Sequence, residues 1–372
     1  MANRLRVGVI FGGQSVEHEV SLISARSIFQ HLRVDRYEVV PIGITRRGRW
    51  ITSEDGAALL QDGLESAGAR PCFLPPDPSI GGLVLLEDRG SPIPLDVIFP
   101  IVHGGHGEDG TLQGLLELAG LPYVGAGVLA SSVGMDKDLM KRVFRDAGLP
   151  VIRSRTLLRK DWEGAHQQVL DSIPPDLGFP CFIKPANTGS SVGITKAKNR
   201  SDLETGLNLA FRYDRKAVVE TGVDAREIEC SVLGNDTPQA SVVGEIVPCN
   251  EFYDYEAKYL AEGSELLIPA PLPATIAEEV RRLAVGAFRA LDGSGMARVD
   301  FFLDRRTGAI YLNEVNTLPG FTPISMYPKL WEASGVPYAS LLDRLIDLAL
   351  ERHREKARAS RDFEPPSRSG KP

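Results

Sequence analysis

Residues 296–326, MARVDFFLDRRTGAIYLNEVNTLPGFTPISM, restrict the possible folds more than any other stretch. Arg298, Asp300 and Phe302 alternate with apolar neighbours at the period of a β-strand, and 304–308 supply turn residues before a second apolar run at 309–316. The spacing predicts a hairpin with Asp300 opposite Glu314 and with Asn316 on the face of Glu314. Two carboxylates facing each other in a mostly apolar hairpin repel unless a cation or a proton lies between them. Hard oxygen donors of this kind suit Mg²⁺ shared with phosphates. The alternative is two solvent-facing acids on an edge hairpin.

The rest of the chain is large enough to enclose such a hairpin. Its 372 residues, 43% hydrophobic and 24% charged, allow two or three domains. A net charge of −7 argues against a broad nucleic-acid footprint while leaving room for local basic pockets that take small anions. Cys72, Cys181, Cys230 and Cys249 are scattered without a CxxC pair, as reduced thiols would be, and suggest no zinc site. The apolar run near the N-terminus is too short for a signal peptide, and no stretch is long enough to span a bilayer, so the expectation is a soluble cytoplasmic protein without membrane insertion.

In chain order, 6–11 read as a strand, Gly12-Gly13 as a loop and 21–32 as a helix, a unit that presents its loop at the carboxyl end of a parallel strand. The loop lacks the full GxGxxG pattern but concentrates Glu17, His18 and Glu19, either as a solvated acidic turn or with a carboxylate aimed at a ligand ammonium. Residues 37–45 form a second strand, and 53–82 read as Gly- and Pro-rich connection. A buried strand at 96–102 runs into HGGHGEDGTLQG, which puts His103 at a strand end in a structural or a catalytic role. These units predict a small doubly wound parallel-sheet α/β domain over 1–136.

A helix opens at Lys137 and stops at Gly148; a lysine in a first helical turn is either exposed or compensated by an anion. Lys184 ends an apolar strand before Asn187-Thr188-Gly189-Ser190-Ser191, a loop of small residues suited to cover phosphates, with a returning strand from 192 and no Walker pattern. Glu220 ends a strand at 216–221. In 226–234, Glu227 and Glu229 share a face, placed either to accept from adenine or ribose or to lie on the surface. Residues 241–248 form another strand, 249–264 read as an ordered loop or lid with Lys258 and Tyr259 at its tips, 274–293 as an amphipathic helix, and 337–356 as a surface helix. The expected units are 1–136, 137–222 and 223–358, with a flexible tail at 359–372.

In this order, GGQSVEHEVS, HGGHGEDGTLQG, MDK, FIKPANTGSSVG, EFYDYEAKY, RVDFF and NEVNTLPGFTPIS resemble the D-alanine:D-alanine ligases of the ATP-grasp superfamily, from about Gly8 to Leu330. The resemblance implies three domains of α/β and α+β type, with ATP between the central and C-terminal ones. It implies two steps: phosphorylation of one D-alanine carboxylate by ATP, then attack by the amine of a second D-alanine, giving D-alanyl-D-alanine for peptidoglycan, ADP and phosphate.

By matching positions, Lys137, Lys184 and Lys258 meet phosphates. Asp300, Glu314 and Asn316 hold two Mg²⁺ ions, with Mn²⁺ an alternative and a monovalent cation a further activator. Glu220, Thr221, Val223 and Glu227 hold the nucleoside; many relatives carry lysine where this chain has Thr221. Glu17 and His103 meet the first D-alanine. Arg298 and the Gly320 amide meet the oxyanion, Ser325 and the Met326 amide meet the second carboxylate, and Ser190 and Tyr259 link to Glu17. A homodimer is implied. The rivals are a D-alanine:D-lactate ligase, which differs in the lid, another ATP-grasp carboxylate-amine ligase, and a nucleotide-binding module that does not turn over.

Overall fold

The computed structural model describes residues 4–65, 68–87, 90–248 and 265–359. The first part of the chain runs Leu5–Gly12 (β1), His18–His31 (α1), Tyr37–Ile44 (β2), Trp50–Thr52 (β3), Gly56–Asp62 (α2), Arg70–Phe73 (β4), Gly82–Leu85 (β5), Ile93–Pro94 (β6), Val97–Pro100 (β7), Thr111–Leu118 (α3) and Val128–Met135 (α4). Its seven strands lie in the order β6-β5-β4-β3-β2-β1-β7. Only β2, β1 and β7 are parallel; β3 to β6 extend the sheet antiparallel. The expected doubly wound parallel sheet is thus confined to three strands. The segment 53–82, read as bare connection, contains a helix, a strand and the start of another.

The middle part runs Lys137–Asp146 (α5), Ser154–Leu158 (β8), Arg159–Gly164 (α6), His166–Leu177 (α7), Cys181–Pro185 (β9), Thr195–Ala197 (β10), Arg200–Tyr213 (α8) and Lys216–Thr221 (β11). Its strands form a four-stranded antiparallel sheet, β10-β9-β11-β8, and the strand returning from the Ser190 loop starts at Thr195 rather than at 192. Asp136 caps α5 by accepting the amides of Asp138 and Leu139 at 3.1 and 3.0 Å, and Gly148 beyond its end has φ +71°, as the sequence expectation of a glycine stop requires.

The last part runs Ala225–Gly234 (β12), Gln239–Val247 (β13), Glu265–Leu267 (β14), Ala274–Ala290 (α9), Gly295–Asp304 (β15), Ile310–Asn316 (β16), Met326–Ala333 (α10) and Tyr338–Ala357 (α11). The five-stranded sheet has the order β14-β13-β12-β15-β16. The predicted hairpin is β15–β16, with Asp300 paired to Glu314 and Arg298 to Asn316.

The cores explain how these parts join. Met140 and Phe144 of α5 and Ala130 of α4 pack with Phe288, Val299 and Phe301, so both helices share the core of the five-stranded sheet. The four-stranded sheet has its own cluster around Ile183, Leu203 and Val219. Helix α11 is not a plain surface helix: Leu341, Leu345 and Ile346 are fully buried in a cluster with Val7, Phe99 and Met296. Its Asp343 accepts from the Tyr37 hydroxyl at 2.8 Å and pairs with Arg33, tying the first sheet to the last. Cys72, Cys181 and Cys230 are buried free thiols, and Cys249 lies outside the described residues. Among the described residues no helix is long and apolar enough to cross a membrane.

Candidate active site

A cavity of about 880 Å³ lies where the five-stranded sheet, the four-stranded sheet and the loops after β1 and β7 meet. Strand periodicity supplies one wall. Residues two apart on β15 and β16 share a face, so Arg298, Asp300, Glu314 and Asn316 form a two-by-two patch. Neighbouring β12 adds Glu229 directly beside Asp300. The Arg298 guanidinium gives two hydrogen bonds to Asp300, Nε to Oδ1 and Nη2 to Oδ2, each 2.7 Å, and its Nε lies 3.0 Å from Glu229 Oε2. Burial works against the charged guanidinium, but Asp300 and Glu229 outweigh it, so Arg298 is held firmly protonated.

The opposite wall is cationic. Lys184 at the end of β9 lies 2.8 Å from Glu220 Oε2, and Lys141 on α5 lies 3.0 Å from Glu220 Oε1. Asn313 accepts from both lysines, from Lys141 by its carbonyl and from Lys184 by its side-chain oxygen, each at 3.3 Å. Burial alone would raise the Glu220 carboxyl, yet the two ammonium groups hold it down at about 2. Lys137, one helical turn before Lys141, is buried, donates to the Thr188 carbonyl at 2.7 Å and lies 3.8 Å from Glu314. It therefore spans from the small-residue loop to the acidic patch, an arrangement fit for a polyphosphate.

The third side comes from the loops. Ser190 donates a hydrogen bond to Glu17, joining the loop after β9 to the loop after β1 across 173 residues of sequence. The backbone is built for this approach. Ser190 and Ser191 have φ of +47° and +59°, and a Cβ on Gly189 would stand 2.9 Å from Glu17 Oε2. His103 is buried beside them with Nδ1 3.2 Å from the Leu318 carbonyl, and burial lowers its pKa against the pull of Glu17, leaving a neutral ring. At the far end, Ser325 immediately precedes α10, and its Oγ accepts from the Thr322 amide at 3.0 Å, so the Met326 amide opens the helix N-terminus. Gly320 packs so closely there that a Cβ would meet Ser325 Oγ at 2.8 Å.

Thr221, Val223 and Glu227 line the same cavity between β11 and β12; the Thr221 hydroxyl donates to the Leu177 carbonyl at 3.2 Å. Lys258 and Tyr259 lie outside the described residues. The oxygen donors of Asp300, Glu314 and Asn316 fit a hard divalent ion. Among the described residues no three His, Cys, Asp or Glu side chains are grouped to hold a metal ion by themselves.

Two buried charged residues here, Lys141 and Glu108, carry no expectation from the sequence, and a third, Glu229, carries only the one it shares with Glu227. Lys141 was legible, since Lys137 and Lys141 stand four apart on one face of a helix. Glu229 was visible only as a neighbour of Glu227. Glu108, inside HGGHGEDG, accepts from the Gly104 amide at 2.6 Å; burial raises its pKa well above the usual carboxylate range, and Glu17 adds to this. A carboxyl raised in the folded state stabilises the fold below the unfolded pKa of about 4.3 and loses that contribution as pH rises. Glu108→Gln is therefore expected to raise Tm by about 2 °C or more at pH 8, with a smaller gain at pH 5, measured by calorimetry. An equal change at both pH values would contradict a strained carboxylate.

A family model described as "D-ala D-ala ligase N-terminus" matches residues 6–126, and one described as "D-ala D-ala ligase C-terminus" matches 143–347. The chain is 55% identical to a D-alanine–D-alanine ligase of Heliobacterium modesticaldum, covering 95% of this chain and 96% of that protein. It is 54% identical to one of Thermoanaerobacter sp. (strain X514), covering 95% and 98%. Among solved structures it resembles the D-alanine-D-alanine ligase from Coxiella burnetii, with 40% identity, a TM-score of 0.84 and coverage of 96% and 97%. It also resembles the VanG D-Ala:D-Ser ligase from Enterococcus faecalis, with 37% identity, a TM-score of 0.84 and coverage of 93% and 100%.

Proposed function

We propose a residue-level mechanism from the premise that this chain belongs to the D-alanine–D-alanine ligase family, has its ATP-grasp fold and joins D-alanine in an ATP-dependent reaction. The reaction uses ATP and a divalent metal. In the proposed course a first D-alanine carboxylate takes the γ-phosphoryl group to give D-alanyl phosphate, and the amine of a second D-alanine displaces phosphate. Two anions must meet in the first step, so fixed positive charge has to replace the attraction that solvent would give.

Lys137 and Lys184, joined by Lys258, hold the phosphates in this reading. Asp300, Glu314 and Asn316 would hold two Mg²⁺ ions, with Mn²⁺ as a substitute; bound there, they neutralise charge on the transferring group. Glu220, Thr221, Val223 and Glu227 receive the nucleoside. Glu17 and His103 take the first D-alanine, with Ser190 and Tyr259 closing on Glu17. Arg298 and the Gly320 amide donate to the oxyanion, while Ser325 and the Met326 amide hold the second carboxylate. The units 1–136, 137–222 and 223–358 contribute respectively the first amino acid's site, the phosphate loop, and the metal and second-substrate sites.

The observation that carries this reading is the acidic patch of β15–β16 facing Lys137 and Lys184 within one cavity. The same reading includes a cytoplasmic homodimer making peptidoglycan precursor, with a monovalent cation as an added activator. Its test is ADP release with D-alanine, D-serine, L-alanine and D-lactate, with and without Mg²⁺. D-Alanine with Mg²⁺ is expected to support turnover and D-lactate at neutral pH to be a poor acceptor, as Tyr259 implies. Equal release with D-lactate would overturn the acceptor assignment. Glu17→Gln is expected to raise KM for the first D-alanine by about tenfold or more, the loss of a charge-assisted contact. An unaltered saturation curve would count against Glu17.

A further inference from the structure

Arg298 and Asp300 are each asked to do two things. Asp300 spends both carboxylate oxygens on the Arg298 guanidinium, at 2.7 Å each, although it faces Glu314 where a divalent ion fits. An ion arriving there competes with the guanidinium for those oxygens and repels it. Arg298 is only 17% exposed, so weakening its pairing with Asp300 leaves a largely buried cation that needs another carboxylate close by. Glu229 is placed to supply it. It stands beside Asp300 on the side away from Glu314, is 5% exposed, and holds the same Nε at 3.0 Å.

We propose that Glu229 is a positioning residue: it retains the Arg298 guanidinium at the oxyanion site while Asp300 turns its oxygens to the divalent ion. The three carboxylates Glu229, Asp300 and Glu314 form one row across three adjacent strands, with the guanidinium reaching the first two. Metal loading therefore moves the arginine's contact one strand over, from Asp300 to Glu229, without moving the arginine. This inference rests on Asp300 as a metal ligand.

The test compares full-length wild type, Glu229→Gln and Glu229→Asp by Mn²⁺ titration in the presence of ADP, read by electron paramagnetic resonance, and by steady-state kinetics. In Glu229→Gln, Arg298 has only Asp300 to lean on and competes harder with the ion. Mn²⁺ affinity is expected to fall about tenfold and kcat about 10–100-fold, the usual scale for residues that orient a ligand from behind, while KM for ATP changes little. Glu229→Asp keeps the charge at shorter reach and should recover part of both losses; it carries the test if the glutamine variant proves insoluble. Mn²⁺ affinity and kcat within twofold of wild type in Glu229→Gln would overturn the proposal. A wild-type protein that binds no Mn²⁺ with ADP would instead overturn the metal assignment, and this inference with it.

Discussion

Replacing Arg298 with alanine is expected to lower kcat by about 10²–10³-fold, the usual loss for one donor to a developing oxyanion, while ATP affinity changes far less. The effect is large because the guanidinium sits in a buried patch with Glu229, Asp300 and Glu314 arrayed around it, so no mobile cation reproduces both its charge and its geometry. Arg298→Lys should recover little: a single ammonium lacks the planar fork that lets the guanidinium rest on Glu229 and still present a donor. ADP release and single-turnover transfer, measured together, separate the steps. Unchanged turnover in Arg298→Ala would remove it from the chemistry.

The largest loss of stability is expected from Glu220→Gln. Glu220 is 2% exposed and lies between two ammonium groups, of which Lys141 is 1% exposed. Neutralising it leaves two ammonium groups facing each other with no carboxylate between them, a change that costs about 3–5 kcal/mol when one partner of a buried pair is removed. Denaturant unfolding would read this as a lower midpoint. Adding Lys141→Met should restore part of the loss, since only one cation then needs compensation. The pH dependence has a fixed sign: the folded carboxyl titrates at about 2, below its unfolded value of about 4.3, so its stabilisation is present above the unfolded value and fades as pH falls toward 2. The gap between wild type and Glu220→Gln should narrow over that window. A variant as stable as wild type at pH 7 would show that the ion pairs contribute nothing net.

What the sequence made legible follows the range of the signal. The β15–β16 hairpin was readable because alternation and turn residues are local; Asp300 does stand opposite Glu314, but through a register shift between Asp300 and Phe301 that alternation does not reveal. The contact of Ser190 with Glu17 was not readable from spacing, because it joins two loops through the packing of separate sheets; only the family resemblance supplied it. Strands β4 and β5, four residues each among glycines and prolines, carry too few positions to show a period. Helix α11 shows an apolar stripe in sequence, but a stripe does not say what covers it.

That helix has a mechanical consequence. By packing on β7 and β15 and through Asp343 on Tyr37, it works as a keel that fastens the first and last sheets into one hull. The four-stranded sheet, whose apolar cluster contains no residue of α11, is joined to the hull by polar contacts instead, Glu220 to Lys141 and Ser190 to Glu17. Nucleotide bound in that polar seam is expected to shift the sheet relative to α11, a displacement that distance labels on Arg200 and Glu351 would report.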